Sequence, residues 1–102
     1  MYIGTILAAA LMPYVAFARF HGSCFCSTDI NAQCQKTACS AFGNGHKIGN
    51  IPSGYNTANV ATTWREERCY TETVDGRTFN GIDGDTWEAQ CKQSCNTGSK
   101  CT

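Results

Sequence analysis

The chain has 102 residues, with eight basic and eight acidic side chains and therefore no formal net charge at neutral pH. All eight cysteines follow Arg19, and that part of the chain contains neither Leu nor Met. A segment so poor in aliphatic volume is expected to stay disordered unless covalent bonds hold it together. The neutral balance argues against a nucleic-acid or anionic-membrane partner.

Residues 1–18 are mainly apolar and end in Ala16-Phe17-Ala18. The run is short for a membrane span, and its end has the small-x-small pattern that signal peptidase accepts. We therefore predict a secretory signal peptide at 1–18, one disulfide-rich domain at 19–102, and an extracellular protein. A membrane anchor is the alternative, since no charged side chain flanks the run before Arg19.

An even number of cysteines behind a secretion signal predicts disulfides. Four bonds would contribute about 8–16 kcal/mol, comparable with the net stability of a small domain. Cys24 and Cys26 point the same way in an extended segment, so each should bond elsewhere. Cys34 and Cys39 need different partners, because five residues of helix place them about 140° apart. The pairing is otherwise open among these cysteines: Cys24, Cys26, Cys34, Cys39, Cys69, Cys91, Cys95 and Cys101.

The first elements are a short strand and a helix. Cys24–Cys26 is predicted to be the strand, and one of residues 27–29 is predicted to cap a helix over 30–42. That helix should end at Gly43-Asn44-Gly45. Residues 46–57 are rich in Gly, Pro, Ser and Asn and predict a loop or a broken strand.

The middle of the chain predicts antiparallel strands. Residues 59–69 fit either a helix or a strand, and their β-branched content favours a strand. Asp75-Gly76 is the dipeptide favoured in two-residue hairpin turns, where both residues need positive φ. It lies between Tyr70–Val74 and Arg77–Phe79, so we predict a hairpin there.

A second helix is predicted near the end of the chain. Asp85 and Glu88 have capping-box spacing at its start, and Asn96 follows its last turn. Cys91 and Cys95 lie four apart on one helical face and should both face the sheet.

Together these elements predict an α+β fold, in which two helices pack on one face of an antiparallel sheet. Cys101 is expected to tie the C-terminal end to the body of the domain.

The order Cys24-x-Cys26, Thr37-Ala-Cys39, a helix from Trp87 to Cys95 and a last cysteine at 101 resembles the small cysteine-rich secreted proteins of filamentous fungi. Several members are effectors delivered to plant tissue, and some share the α/β sandwich of virally encoded killer toxins. The resemblance implies a secreted, effector-like protein with that architecture.

A weaker resemblance links Ser27–Ile30 and Lys47–Asn56 to secreted fungal guanyl-specific ribonucleases. That chemistry needs a carboxylate base, an arginine and a histidine acid around the phosphate. Candidates exist for two of these roles, but no histidine follows His46. The candidates are Glu66, Glu67, Glu72, Arg65, Arg68 and Arg77. We therefore predict that the protein is not an enzyme and has no cofactor.

Metal binding is also not expected. His21 and His46 lie near cysteines, but thiolates committed to disulfides do not ligate zinc. Asp83-Gly84-Asp85 with Glu88 could attract calcium, yet it lacks the order of an EF-hand loop, and helix capping explains Asp85 and Glu88.

Trp64, Arg65 and Arg68 form the candidate binding patch, since Trp and Arg are enriched at binding hot spots. The alternative is that Trp64, like Trp87, belongs to the core of a chain with few apolar residues.

The leading functional hypothesis is a secreted effector-like protein that binds a host target without catalysis. A toxin against competing microbes is the alternative, and a catalytically degenerate ribonuclease is the third. The expected partner is a host or competitor protein or cell-surface component. We expect a monomer that neither binds nucleic acid nor inserts into membranes.

Overall fold

The computed structural model describes residues 19–27, 31–45 and 47–102. The predicted signal peptide at 1–18, residues 28–30 and His46 lie outside the described residues. The described part forms strands, two α-helices and one 3₁₀ turn (Thr57–Asn59). In chain order the elements are β1 (Phe20–His21), β2 (Ser23–Phe25), α1 (Ala32–Asn44), β3 (Val60–Arg65), β4 (Arg68–Thr73), β5 (Thr78–Phe79), β6 (Ile82–Asp83), α2 (Gly84–Cys95) and β7 (Lys100–Cys101).

An antiparallel sheet with the order β3-β4-β2-β7 forms the centre of the domain, and β5 also pairs with β4. β3 and β4 pair without a bulge along six residues. The strand predicted over 59–69 is present at Val60–Arg65, but a turn at Glu66 and Glu67 ends it and Arg68 begins the next strand. Because side chains alternate along a strand, Thr62 and Trp64 lie on one face, the inner face. Thr63 and Arg65 lie on the opposite, outer face. β1 and β6 form a separate two-stranded ribbon.

The helices lie on the inner face. The Thr62 hydroxyl donates to the Cys39 carbonyl of α1 at 2.7 Å. A Cβ at Gly43 would overlap the Thr62 hydroxyl, so only glycine lets α1 approach β3 this closely. α2 packs against α1. The predicted α+β fold with two helices and an antiparallel sheet is confirmed.

Four disulfides hold the domain together: two join a helix to the sheet region, one joins the two helices, and one joins the neighbouring strands β2 and β7. Cys24 and Cys26 bond to different partners, and so do Cys34 and Cys39, as predicted. The expectation that Cys95 faces the sheet was wrong, because the last turn of α2 lies against α1. The bonds are Cys24–Cys101, Cys26–Cys91, Cys34–Cys95 and Cys39–Cys69.

Three large side chains fill the space between helices and sheet. Trp87, Phe42 and Ile82 are fully buried. The rings of Phe42 and Trp87 meet edge to face, with centroids 5.7 Å apart. The Trp87 indole N–H donates to the Phe25 carbonyl at 3.2 Å, so its polar atom is satisfied inside the core. Trp64 is half-buried and packs against this core from the edge.

The first helix starts and ends later than predicted. Asn31 is its N-cap and accepts from the Gln33 backbone N–H, so the cap expected among residues 27–29 was wrong. The helix runs through Gly43 and ends at Gly45, because the contact with β3 stabilises a turn that glycine would otherwise weaken.

The cap of the second helix also differs. The Asp83 carboxylate accepts from the Thr86 backbone N–H at 3.2 Å and from its hydroxyl at 2.6 Å. Asp85 lies inside the first turn, so the predicted Asp85/Glu88 capping box was wrong. The β1–β6 ribbon keeps the chain extended up to Asp83, which fixes where the helix begins. Asn96 ends the helix in a left-handed conformation, as expected.

The β4–β5 hairpin is present, but its loop has three residues, 74–76. The Gly76 N–H donates to the Thr73 carbonyl, and the Thr73 N–H donates to the Arg77 carbonyl, both at 2.9 Å. Only Gly76 has positive φ in this loop, at 84°. The two-residue turn predicted at Asp75-Gly76 was therefore wrong, since a turn plus a left-handed glycine closes this hairpin.

Candidate functional site

The β3–β4 hairpin turns through Glu66 and Glu67, which both have positive φ, 52° and 60°. Such two-residue turns usually contain Asn-Gly. A left-handed residue other than glycine costs about 1–2 kcal/mol, so the surroundings must stabilise this strained tip. Arg65 forms an ion pair with Glu66 at 3.0 Å, and the Tyr70 hydroxyl donates to the same carboxylate at 3.3 Å.

Arg65 lies on the outer face and is neutralised within the protein. Its guanidinium carbon lies 3.9 Å from the centroid of the Tyr70 ring. One of its nitrogens contacts the Glu72 carboxylate at 3.3 Å, and Thr63 donates to the other oxygen of Glu72 at 2.8 Å. With Glu66 and Glu72 both paired to it, Arg65 has little uncompensated charge to offer a partner.

Arg68 has a different environment. Its Nε donates to the Ser23 hydroxyl at 2.8 Å, and one Nη donates to the Thr102 hydroxyl at 3.2 Å. Its guanidinium carbon lies 4.7 Å from the centroid of the Phe25 ring. Among the described residues no carboxylate forms an ion pair with Arg68. A half-buried guanidinium is therefore fixed in position while its charge remains uncompensated.

An open groove of about 280 Å³ lies beside Arg68, between the hairpin tip, the end of β2 and the start of α1. Two aromatic side chains, two carboxylates and one guanidinium face it. The Glu67 carboxylate makes no ion pair with the described residues. We call this feature the hairpin-tip groove and define it by Phe25, Gln35, Trp64, Glu66, Glu67 and Arg68.

Gln35 holds one wall of the hairpin-tip groove in place. Its side chain is buried, and its amide oxygen accepts from the backbone N–H groups of Cys26 at 2.8 Å and Ser27 at 3.4 Å. Its amide nitrogen donates to the Ser27 carbonyl at 2.7 Å. These bonds join α1 to the segment after β2, so the wall is built from rigid elements.

The structure divides the binding patch expected from the sequence. Trp64 and Arg68 both line the hairpin-tip groove, whereas Arg65, although it is the cross-strand partner of Arg68, does not line it. Sequence reasoning did not include Phe25 and Gln35, because their places depend on the β2–β4 pairing and on the start of α1. Glu67 was considered only as a nuclease carboxylate.

The Lys47–Asn56 loop lies at the other end of the sheet. The Tyr55 hydroxyl donates to the Asp75 carboxylate, and Arg77 donates to the Tyr55 hydroxyl at 3.4 Å. The pKa of Arg77 lies above its ordinary value, mainly because of the hydrogen bond and charge interaction with Tyr55 and then because of Asp75. The loop is thus tied to the β4–β5 hairpin and contributes nothing to the groove.

No group of three or more His, Cys, Asp or Glu side chains in the described part of the chain is placed to hold a metal ion. His21 belongs to the β1–β6 ribbon, and Asp83 caps α2. His46 lies outside the described residues.

Comparison with known proteins found no matching family model, no matching curated protein and no matching solved structure. Among the residues that the structure describes, neither helix has the length and apolar character needed to cross a membrane.

Proposed function

We propose that the protein is a secreted, effector-like binding protein of a filamentous fungus that acts on a host protein without catalysis. The hairpin-tip groove is its contact surface. Four disulfides in so small a domain fit an extracellular environment.

The observation that carries this proposal is the state of Arg68. Its donors contact two hydroxyls, its plane lies against Phe25, and no described carboxylate neutralises it. A carboxylate from a partner would form charge-assisted hydrogen bonds with a guanidinium that is already oriented. Trp64 in the same groove adds the second residue type that dominates binding hot spots.

The shape of the groove favours a protein partner over a small substrate. Sites for small molecules enclose most of the ligand surface, whereas this groove of about 280 Å³ is open at the hairpin tip. Glu67 adds an unpaired negative charge near the positive charge of Arg68. A partner side chain of either sign finds a counter-charge there, which favours a specific protein contact over general attraction to a charged polymer.

The proposal is tested by photo-crosslinking from the groove. The full-length gene is expressed with a photo-reactive phenylalanine analogue at Glu67, and the secreted protein is irradiated with extracellular proteins of the colonised host. We expect a host polypeptide to be crosslinked from position 67. The same analogue at Glu88, an exposed carboxylate on α2, is the matched control.

Crosslinking of the same polypeptides from position 88, or of none from position 67, contradicts the proposal. Expression timing then separates the two binding hypotheses. Induction during host colonisation supports an effector, whereas induction only by competing microbes points to a toxin.

A further inference from the structure

β3 has one free edge. It is the terminal strand of the sheet and pairs only with β4 among the described residues. Arg65 and Arg68 flank a two-residue turn, so their backbones are hydrogen-bonded to each other. From there, hydrogen-bonded and non-hydrogen-bonded residue pairs alternate along β3 and β4. Thr62 and Trp64 therefore direct their backbone N–H and C=O groups away from β4. The Val60 N–H is already bonded to the Thr57 carbonyl.

This edge lacks the features that usually protect edge strands. Natural sheets use short edge strands, Lys, Pro or bulges to prevent pairing with other chains. β7, the opposite edge, has two residues and one of them is Lys100. β3 has six residues, contains neither Lys nor Pro, and pairs with β4 without a bulge; its one charged side chain, Arg65, lies at the hairpin end and is paired with Glu66 and Glu72. An unprotected edge of this length is a template for an added strand.

Two grooves flank the free edge, one on each face of the sheet. On the inner face a groove of about 230 Å³ lies between α1 and β3, lined by Lys36, Ser40 and Trp64. On the outer face a groove of about 340 Å³ is lined by Ala61 and Val74. Successive side chains of an added strand point to opposite faces, so they would enter the two grooves alternately.

The chemistry of the two grooves differs. Lys36 on the inner side is exposed and forms no ion pair with the described residues. On the outer side Ala58 and Ala61 adjoin Val74, whose residue surface is 68% exposed. The inner groove therefore suits an acidic side chain, and the outer groove suits an aliphatic one.

We propose that the free edge of β3 binds an extended polypeptide segment of the partner as an added strand, with acidic and aliphatic residues in alternation. Backbone hydrogen bonds to Thr62 and Trp64 supply affinity, and the two grooves supply specificity. This inference rests on the proposed function, because it names the form of the partner at a surface that Trp64 shares with the hairpin-tip groove.

A second copy of the chain is a poorer occupant of this edge. β3 contains no carboxylate, so a β3–β3 pair would bring no counter-charge to Lys36 from the paired strand. Arg65 would instead add positive charge to the interface. The complementary strand must therefore come from a chain that carries carboxylates at alternate positions.

The test uses a capped hexapeptide of alternating Glu and Val as the probe, because β3 has six residues. Amide exchange is followed by NMR in the ¹⁵N-labelled protein secreted from the full-length gene. At a peptide concentration about ten times Kd, exchange at Thr62 and Trp64 should slow about tenfold, since only the free form exchanges. A peptide with the same side chains and N-methylated backbone amides should leave these rates unchanged.

Two charge reversals test the inner groove. Lys36→Glu should weaken peptide binding by about tenfold or more, an effect of about 1.4 kcal/mol. Lys100→Glu makes the same charge change on the opposite edge and should leave the affinity unchanged. Equal protection by the N-methylated peptide, an unchanged affinity in Lys36→Glu, or no protection of Thr62 and Trp64 overturns the inference. Protection that rises with protein concentration alone also overturns it, because a second copy would then occupy the edge.

The outcome separates this inference from the proposed function. If the peptide fails to bind while position 67 still crosslinks a host polypeptide, the strand-addition mode is wrong and the binding function stands. If the peptide binds while position 67 crosslinks nothing, the edge is a polypeptide site and the hairpin-tip groove is not.

Discussion

The Cys39–Cys69 disulfide should stabilise the domain more than the Cys34–Cys95 disulfide does, although the lengths of the chain loops that they close predict the opposite order. Cys34–Cys95 spans 61 residues and Cys39–Cys69 spans 30. In the chain-entropy description of cross-links, a longer closed loop gives a larger stabilisation. Taken singly, the Cys34–Cys95 bond would therefore be the stronger of the two.

The other bonds change this ranking. Cys26–Cys91 already connects the two ends of the chain, with seven residues between Cys26 and Cys34 and three between Cys91 and Cys95. Cys34–Cys95 consequently closes a ring of only about 14 residues, which is worth about 3 kcal/mol. No other bond shortens the Cys39–Cys69 loop, which keeps its 30 residues and is worth about 3.6 kcal/mol.

Burial adds to the difference. Cys39 and Cys69 are 2% and 0% exposed, whereas Cys34 and Cys95 are half-buried. Replacing Cys39 and Cys69 by alanine removes two buried sulfur atoms and costs about 1 kcal/mol more for each. We expect Cys39→Ala/Cys69→Ala to lose about 5–6 kcal/mol and Cys34→Ala/Cys95→Ala to lose about 3 kcal/mol.

The assay is urea denaturation followed by circular dichroism, with mass spectrometry to confirm that each variant retains its other three bonds. The gap of about 2–3 kcal/mol corresponds to about 8–24 °C in Tm for a domain of this size. Equal stability of the two variants, or a less stable Cys34→Ala/Cys95→Ala protein, would refute both the ring argument and the burial argument.

Three further changes test the packing, each measured by urea denaturation. Glu66→Asn with Glu67→Gly should stabilise the protein by about 1–2 kcal/mol, because both positions have positive φ; no gain would mean that the tip is unstrained. Gly43→Ala should lose about 1–3 kcal/mol by overpacking against β3, while Gly98→Ala, which meets open space, should change little; similar effects would contradict the close approach. Thr71→Val should lower the free energy of unfolding by about 1–3 kcal/mol, because the buried Thr71 hydroxyl donates to the Phe79 carbonyl and accepts from the Gly81 N–H. An unchanged free energy of unfolding would contradict that role of the hydroxyl.

Sequence periodicity and turn residues predicted most of the fold. The spacing of apolar residues located α1, and the β-branched run located β3. The predicted positions of the helix ends were less accurate. Asp83 and Asp85 are both residues that can cap a helix, and only the β1–β6 pairing determines that Asp83 is the cap. The disulfide partners also depend on how the layers pack, which the spacing of cysteines does not specify.

The candidate site was only partly predictable. Trp64 and Arg68 were candidates from residue type alone. The Glu66-Glu67 turn has no sequence signal, since the register of β3 and β4 imposes it against local preference. The difference between Arg65 and Arg68 follows from strand pairing, which gives one arginine two carboxylates and the other two hydroxyls.

The affinity of Arg68→Glu for the host polypeptide crosslinked from position 67 is the most direct test of the proposed binding function. We expect Kd to rise about 30-fold or more, because loss of a desolvated charge pair costs about 2 kcal/mol or more. Lys92→Glu, an equal charge reversal on α2 outside the groove, should stay within about twofold. An unchanged Kd in a correctly folded Arg68→Glu protein, or an equal loss in Lys92→Glu, would contradict the assignment of the hairpin-tip groove as the binding site.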